Sequence, residues 1–154
     1  MMQNTQKGFT LFIAVLIGSL MLAIGFSIFN LSFKELLLSA SSRDSQIAFY
    51  AADTGLECAL YHDQKLRDFQ TTGSGSTASI TCAGQTVSST RLAGSGVFSW
   101  EWALETSSGL CAKVEVNKYT SPERTVIRSL GYNTCTDTDP RKTERGLRVI
   151  YNGI

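Results

Sequence analysis

"KGFTLFIAVLIGSLMLAIGFSIFNLSF", Lys7 to Phe33, carries one charge, and that charge is its first residue. The next ionisable side chain is Lys34. Twenty or so apolar residues rising ~1.5 Å each span the ~30 Å hydrocarbon core of a bilayer. Gly18, Ser19, Gly25, Ser27 and Asn30 dilute the run without charging it. Its apolar core is too long for a cleaved secretory signal, and no Ala-x-Ala site follows it. The stretch reads as a membrane-spanning helix, and an ordinary signal anchor is the plain alternative to anything more specialised. The positive-inside bias keeps Lys7 in the cytoplasm and exports the remainder.

The helix is predicted to continue well past the membrane run. The only prolines are Pro122 and Pro140, so none breaks a helix from residue 9 to about 64, roughly 84 Å if continuous. Its first half is apolar all round, as lipid or a helix bundle requires. Its second half is amphipathic, with Ala48, Ala52, Leu56, Ala59 and Leu60 at three- and four-residue spacing. Ala51 and Gly55 form a small-residue stripe beside it that admits close approach of another element. Arg43, Asp44, Asp53, Glu57 and Asp63 fall largely elsewhere around the helix.

Beyond it the period changes from helical to alternating. Residues 71–79, "TTGSGSTAS", read as a loop. "SITCAGQTVSST" reads as a short hairpin turning at Ala83-Gly84-Gln85. A breaker, "AGSG" at 93–96, precedes "VFSWEWAL", in which Phe98, Trp100 and Trp102 share one face. Four strands near 97–104, 110–119, 125–133 and 146–151 suggest an antiparallel meander with one face on the helix. The predicted class is α+β.

The chain has 154 residues and a formal net charge of +1, and setting Lys7 apart leaves 13 basic residues against 13 acidic ones. A neutral exported domain offers no electrostatic footprint for nucleic acid. Arg141, Lys142, Arg145 and Arg148 cluster, but Asp137, Asp139 and Glu144 lie among them, giving a mixed solvated face.

Cys58, Cys82, Cys111 and Cys135 all follow the membrane run, and an even count on the exported side favours disulfides. With the turn in the stretch Thr120–Arg124 and its centre placed at residue 123, one past the midpoint of that stretch, Cys111 and Cys135 stand equally far from it and would be directly opposed in a hairpin. That leaves Cys58 to Cys82. Four cysteines allow three connectivities, and this pairing is the one expected.

Two stretches resemble a known family. "QKGFTLFIAVLIGSLMLAIGF" resembles the class III signal of type IV pilins, with a short polar leader, Gly8 before the cut and Phe9 after it. "SSRDSQIAFYAADTGLECAL", 41–60, resembles the helix segment of PilX-type minor pilins. Gln46, Ala48, Phe49, Ala51, Ala52, Asp53, Gly55 and Leu56 carry that likeness. Together they cover about the first 60 residues; beyond residue 64 the likeness is architectural.

The resemblance implies a type IV pilin fold, a long N-terminal helix packed on a four-stranded antiparallel sheet. It implies a leader at 1–8, a transmembrane and filament-core helix at 9–33 and an exported domain at 34–154. Prepilin peptidase would cut after Gly8 and N-methylate Phe9. The chain would wait in the cytoplasmic membrane, then join other pilin subunits through its helix in an extracellular pilus. The role is structural and non-catalytic, without cofactor.

One departure sharpens this. The family's usual glutamate at the fifth mature position is here Ile13. In related filaments that acid is thought to neutralise a neighbour's terminal amine. A chain with Ile13 can receive such a pairing but cannot give one, which suits a minor subunit at or near the tip that helps assembly. The tip pseudopilin of type II secretion shows the same departure, so a pseudopilin is an alternative.

Other chemistry finds little support. His62 is the only histidine and reads as a surface or helix-end residue. Far in sequence from all cysteines but Cys58, it makes zinc improbable. No metal is expected; Asp137, Asp139 and Glu144 in "CTDTDPRKTE" are weak calcium candidates. Phe98, Trp100 and Trp102 could line the ligand surface of a tip adhesin, but aromatics at strand spacing are more often core.

Overall fold

The computed structural model describes residues 6–72, 77–106, 109 and 111–152. The leader's first five residues and residues 73–76 of the expected loop lie outside that set. One helix, α1, runs Gln6–Tyr61 and passes into a π-helical turn at His62–Leu66. Arg67 ends that turn in the left-handed region, φ 58°, with its N–H bonded to the His62 carbonyl. The chain divides between Ser42 and Arg43 into two compact units.

In the first unit every residue from Phe9 onward is exposed. This segment is long and apolar enough to cross a membrane. Three of its polar residues bond to their own helix. Ser19 Oγ donates to Leu16 O at 2.9 Å, Ser27 Oγ to Ala23 O at 2.9 Å, and Asn30 Nδ2 to Phe26 O at 3.1 Å. Hydrocarbon provides no hydrogen-bond partners, so this return to the preceding turn is what makes these residues tolerable there.

In the second unit seven strands follow: β1 Thr77–Cys82, β2 Gln85–Thr90, β3 Leu92–Gly94, β4 Val97–Glu105, β5 Cys111–Thr120, β6 Glu123–Tyr132 and β7 Glu144–Tyr151. β1 and β2 form a hairpin; β3 to β7 form an antiparallel sheet in chain order. The helix on an antiparallel sheet makes the unit α+β, compatible with a pilin-like fold. The four long strands are those expected, and three-residue β3 adds a fifth. The predicted breaker at 93–96 is narrower than expected, because Gly94 pairs with Val97 and only Ser95 and Gly96 turn. Residues 77–79, expected in a loop, begin β1.

The first hairpin is tight. Cys82 pairs with Gln85, and both turn residues have positive φ, 47° at Ala83 and 77° at Gly84. Such a turn matches the right-handed twist of the strands. It suits Gly84 and strains Ala83, whose Cβ disfavours this region.

The core gathers one face of α1, β1 and the sheet. Ala48, Ala51, Ala52 and Ala59 are fully buried. Ala112, Val114 and Val116 alternate inward along β5, as Trp100, Trp102 and Leu104 do along β4. Phe69, which the periodicity did not single out, stacks on Trp102 with ring centroids 5.5 Å apart and tilts against Trp100 at 5.4 Å. Trp100 and Trp102 are 1% and 7% exposed, so both pack in the core, with Phe98 half-buried against it.

The small residues set how closely helix and sheet approach. A Cβ on Gly131 of β6 would stand 2.1 Å from the Ala48 carbonyl oxygen and 2.2 Å from the Ala52 nitrogen. On Gly55 it would meet side chains, Ser129 Oγ at 2.6 Å and Val114 Cγ2 at 2.7 Å. Gly131→Ala must move a backbone, whereas Gly55→Ala displaces only side-chain ends. Denaturant titration is expected to show Gly131→Ala losing more than ~3 kcal/mol and Gly55→Ala about 1–3 kcal/mol. Equal losses would refute the backbone contact as the tighter one. Ala83→Asn, better suited to positive φ, is expected to gain about 0.5–1 kcal/mol in the same measurement.

Candidate functional site

The residues that carry the family likeness divide by exposure. Ala48, Ala51, Ala52 and Gly55 face the sheet, Leu56 and Asp53 are half-buried, and Gln46 and Phe49 are exposed. Half of that segment is thus accounted for by packing. At the other end of α1, Gly8 and Phe9 lie in helix and Phe9 is 68% exposed. Ile13, four residues on, is 38% exposed.

The C-terminal end of α1 is the most elaborate polar joint among the described residues. Asp63, expected on the solvent side, is buried. Its Oδ2 accepts the Tyr151 hydroxyl at 2.5 Å, and its Oδ1 lies 2.5 Å from Lys118 Nζ. The lysine contact satisfies the distance but not the angles of a hydrogen bond, so it acts as an ion pair. A buried carboxylate needs such partners. Helix, β5 and β7 are tied at one point. Burial and the Asp63 carboxylate push the Tyr151 phenol well above its ordinary value.

His62 stands at the helix end, directly after Tyr61, as one of the two expectations had it, but it is buried, at 3% exposure, and not on the surface. Its Nδ1 is 2.6 Å from Asp68 Oδ2, and its Nε2 receives the Thr81 N–H at 3.3 Å. Nε2 also stands 3.4 Å from the Thr81 carbonyl oxygen; with the proton on Nδ1, the ring donates to Asp68 and accepts from the Thr81 N–H. The turn ending at Arg67 swings Asp68 back onto the ring.

The structure joins Cys58 to Cys82 with Cα atoms 6.0 Å apart, and Cys111 to Cys135 at 5.4 Å. The geometry behind the second bridge differs from the expected one. Thr120 pairs with Glu123, so the turn is Ser121–Pro122 and Cys111 stands opposite Tyr132. Cys135 lies three residues further along and folds back. Asn133 holds that fold, accepting the Thr143 N–H at 2.7 Å and donating to Arg141 O at 3.2 Å.

The weak calcium candidates do not converge. Asp137 is paired with Lys142, Asp139 Oδ1 accepts the Arg141 N–H at 2.8 Å, and Glu144 begins β7 beside Tyr132. Lys142 holds the Asp137 carboxyl below its usual range. Burial, then Glu144, pushes the Tyr132 phenol up to about 12. A different group of metal-capable side chains does converge: Cys58, His62 and Cys82, whose ligand atoms lie within 4.8 Å of one another. Sequence distance hid Cys82, which the β1 hairpin brings back to the helix.

Both raised phenols favour the neutral form in the fold. An unfolded tyrosine ionises near ~10, so their contribution is whole below that pH and falls as pH climbs through the folded values. Denaturant midpoints are expected to drop above pH ~10. Tyr151→Phe should lower stability by about 1.5–3 kcal/mol at neutral pH through the lost bond to Asp63. It should also flatten the alkaline fall; an unchanged alkaline slope would detach Tyr151 from it.

No family model, no curated protein and no solved structure matches this chain.

Proposed function

We propose that the chain is a minor type IV pilin of the PilX type, a structural subunit at or near the filament tip. The observation that carries this reading is the exposed apolar half of α1. An exposed apolar surface of this extent calls for lipid or other helices to cover it. Ser19, Ser27 and Asn30 are already bonded within the helix, so either medium serves them. Gly8 and Phe9 stand at its start, where a prepilin peptidase would cut, and the sheet-packed half follows on the same helix.

Ile13 supports the terminal position. After cleavage Phe9 bears an ammonium, methylated or not, and a charge in an apolar bundle is costly unless paired. A neighbour's acid can pair with it. Ile13 cannot return that pairing, so a subunit of this kind fits where no further subunit lies ahead. Burial of Trp100 and Trp102 removes the exposed aromatic strip that would favour an adhesin.

Two experiments test this. Mass spectrometry after co-expression with a prepilin peptidase is expected to find a mature chain starting at singly methylated Phe9. An intact leader would mark a scaffold that never enters a filament. Ile13→Glu is expected to place labelled subunits along the filament and to alter pilus number or length. Tip-only label with unchanged number and length would remove the terminal assignment.

A further inference from the structure

The end of α1 holds a second possible cross-link at the position of the first. Cys58 and His62 are four residues apart on adjacent turns, so they share one face. Cys82 ends β1 and meets them, and the three ligand atoms lie within 4.8 Å of one another. Ligands around a tetrahedral zinc ion, at ~2.0–2.3 Å from the metal, stand roughly 3.5 Å apart. The cluster needs only small side-chain adjustments once the sulfurs are not bonded to each other.

The histidine is prepared for such a role. Nδ1 is held by the Asp68 carboxylate at 2.6 Å, the arrangement that fixes tautomer and ring orientation in metal sites. With the proton on Nδ1, the Nε2 lone pair meets only long contacts in the disulfide form, Thr81 N at 3.3 Å and Thr81 O at 3.4 Å. Asp68 is about one-third exposed on its side chain while His62 is 4% exposed. A disulfide joint needs neither a buried imidazole nor a carboxylate behind it. Soft thiolates with an imidazole suit Zn²⁺ or Cu⁺ and exclude calcium and magnesium.

We propose that when Cys58 and Cys82 are both thiols, they and His62 hold one zinc-class cation, with water completing the coordination. Binding releases the two thiol protons to solvent. A small-molecule or protein disulfide then accepts two electrons from the dithiolate. The Cys58–Cys82 bond forms, the oxidant becomes two thiols on taking up two protons, and the cation departs. The helix end and β1 are thus joined before oxidation as well as after it. This goes beyond the pilin reading and holds or fails without it.

The test uses the full chain in detergent micelles, reduced with a phosphine and freed of it under nitrogen, with Co²⁺ as the probe. The expected result is one equivalent of cobalt with thiolate charge-transfer and tetrahedral d–d bands, displaced by Zn²⁺. Asp68→Asn should weaken binding about 10–100-fold, and His62→Ala by at least as much. Cys111→Ser/Cys135→Ser should leave the bands in place. Peptide mass spectrometry of the unsubstituted chain supplies a readout free of folding effects in the variants. Zn²⁺ should slow alkylation of Cys58 and Cys82 but not of Cys111 and Cys135. Absence of thiolate–cobalt bands, equal protection of all four cysteines, or cobalt affinity unchanged by His62→Ala would each overturn the proposal.

Discussion

The contact of Gly131 with the Ala48–Ala52 turn fixes where everything after it falls. There the backbones of β6 and α1 approach without a side chain between them. Further along, Gly55 meets Ser129, and near the helix end Asp63 meets Tyr151, which pairs with Thr125 of β6. The helix therefore runs antiparallel to β6. Fifteen helical residues from Ala48 to Asp63 advance ~22 Å, and six strand residues from Gly131 to Thr125 cover ~20 Å. These lengths agree, so once the glycine contact forms, the buried charge of Asp63 arrives beside Lys118 and Tyr151 without further adjustment. Dispersion and burial along this seam reward the small residues that a free helix would not need.

Much of this was legible because it rests on period. The alternation of Val97–Leu104 and Cys111–Val116 names the inward residues of β4 and β5, and the spacing of Ala48, Ala52 and Ala59 names the packed face of α1. What escaped depends on turns. Whether the β5–β6 connection takes two residues or five decides the register of twenty, and composition at Thr120–Arg124 does not decide it. Cys111 and Cys135 meet although the symmetry expected of them is absent, because the bond network of Asn133 shapes the returning loop. Phe69 escaped because it lies in no repeat; the π turn and Arg67 at positive φ deliver it to the two tryptophans.

The same turn explains why Asp63 and His62, at the end of α1, are buried and not exposed. A regular helix would carry Asp63 and His62 onward on a rotating surface, where a charge and an imidazole belong in water. Widening to the π geometry and reversing at Arg67 folds the following segment over them. Each is then compensated by something distant in sequence: Lys118 and Tyr151 for Asp63, Thr81 for His62, with Asp68 as the local partner. Such compensation has no periodic signature. It is visible only once β1, β5 and β7 are in place, and single-sequence reasoning defaults to the exposed alternative.

On the proposed reading, the apolar half of α1 must leave lipid and enter a bundle of like helices. Little apolar surface changes its exposure to water in that transfer, so the hydrophobic effect supplies little net drive. Polar groups would then decide the balance. Ser19, Ser27 and Asn30 contribute nothing to it in either direction, since each is bonded to its own helix. The terminal ammonium of Phe9 would be the only charge in residues 9–33, and it is poorly placed in any apolar medium without an acid. Attachment of this subunit would therefore be directional. It gains from an acid on the neighbour behind it, and through Ile13 it offers nothing to a subunit ahead.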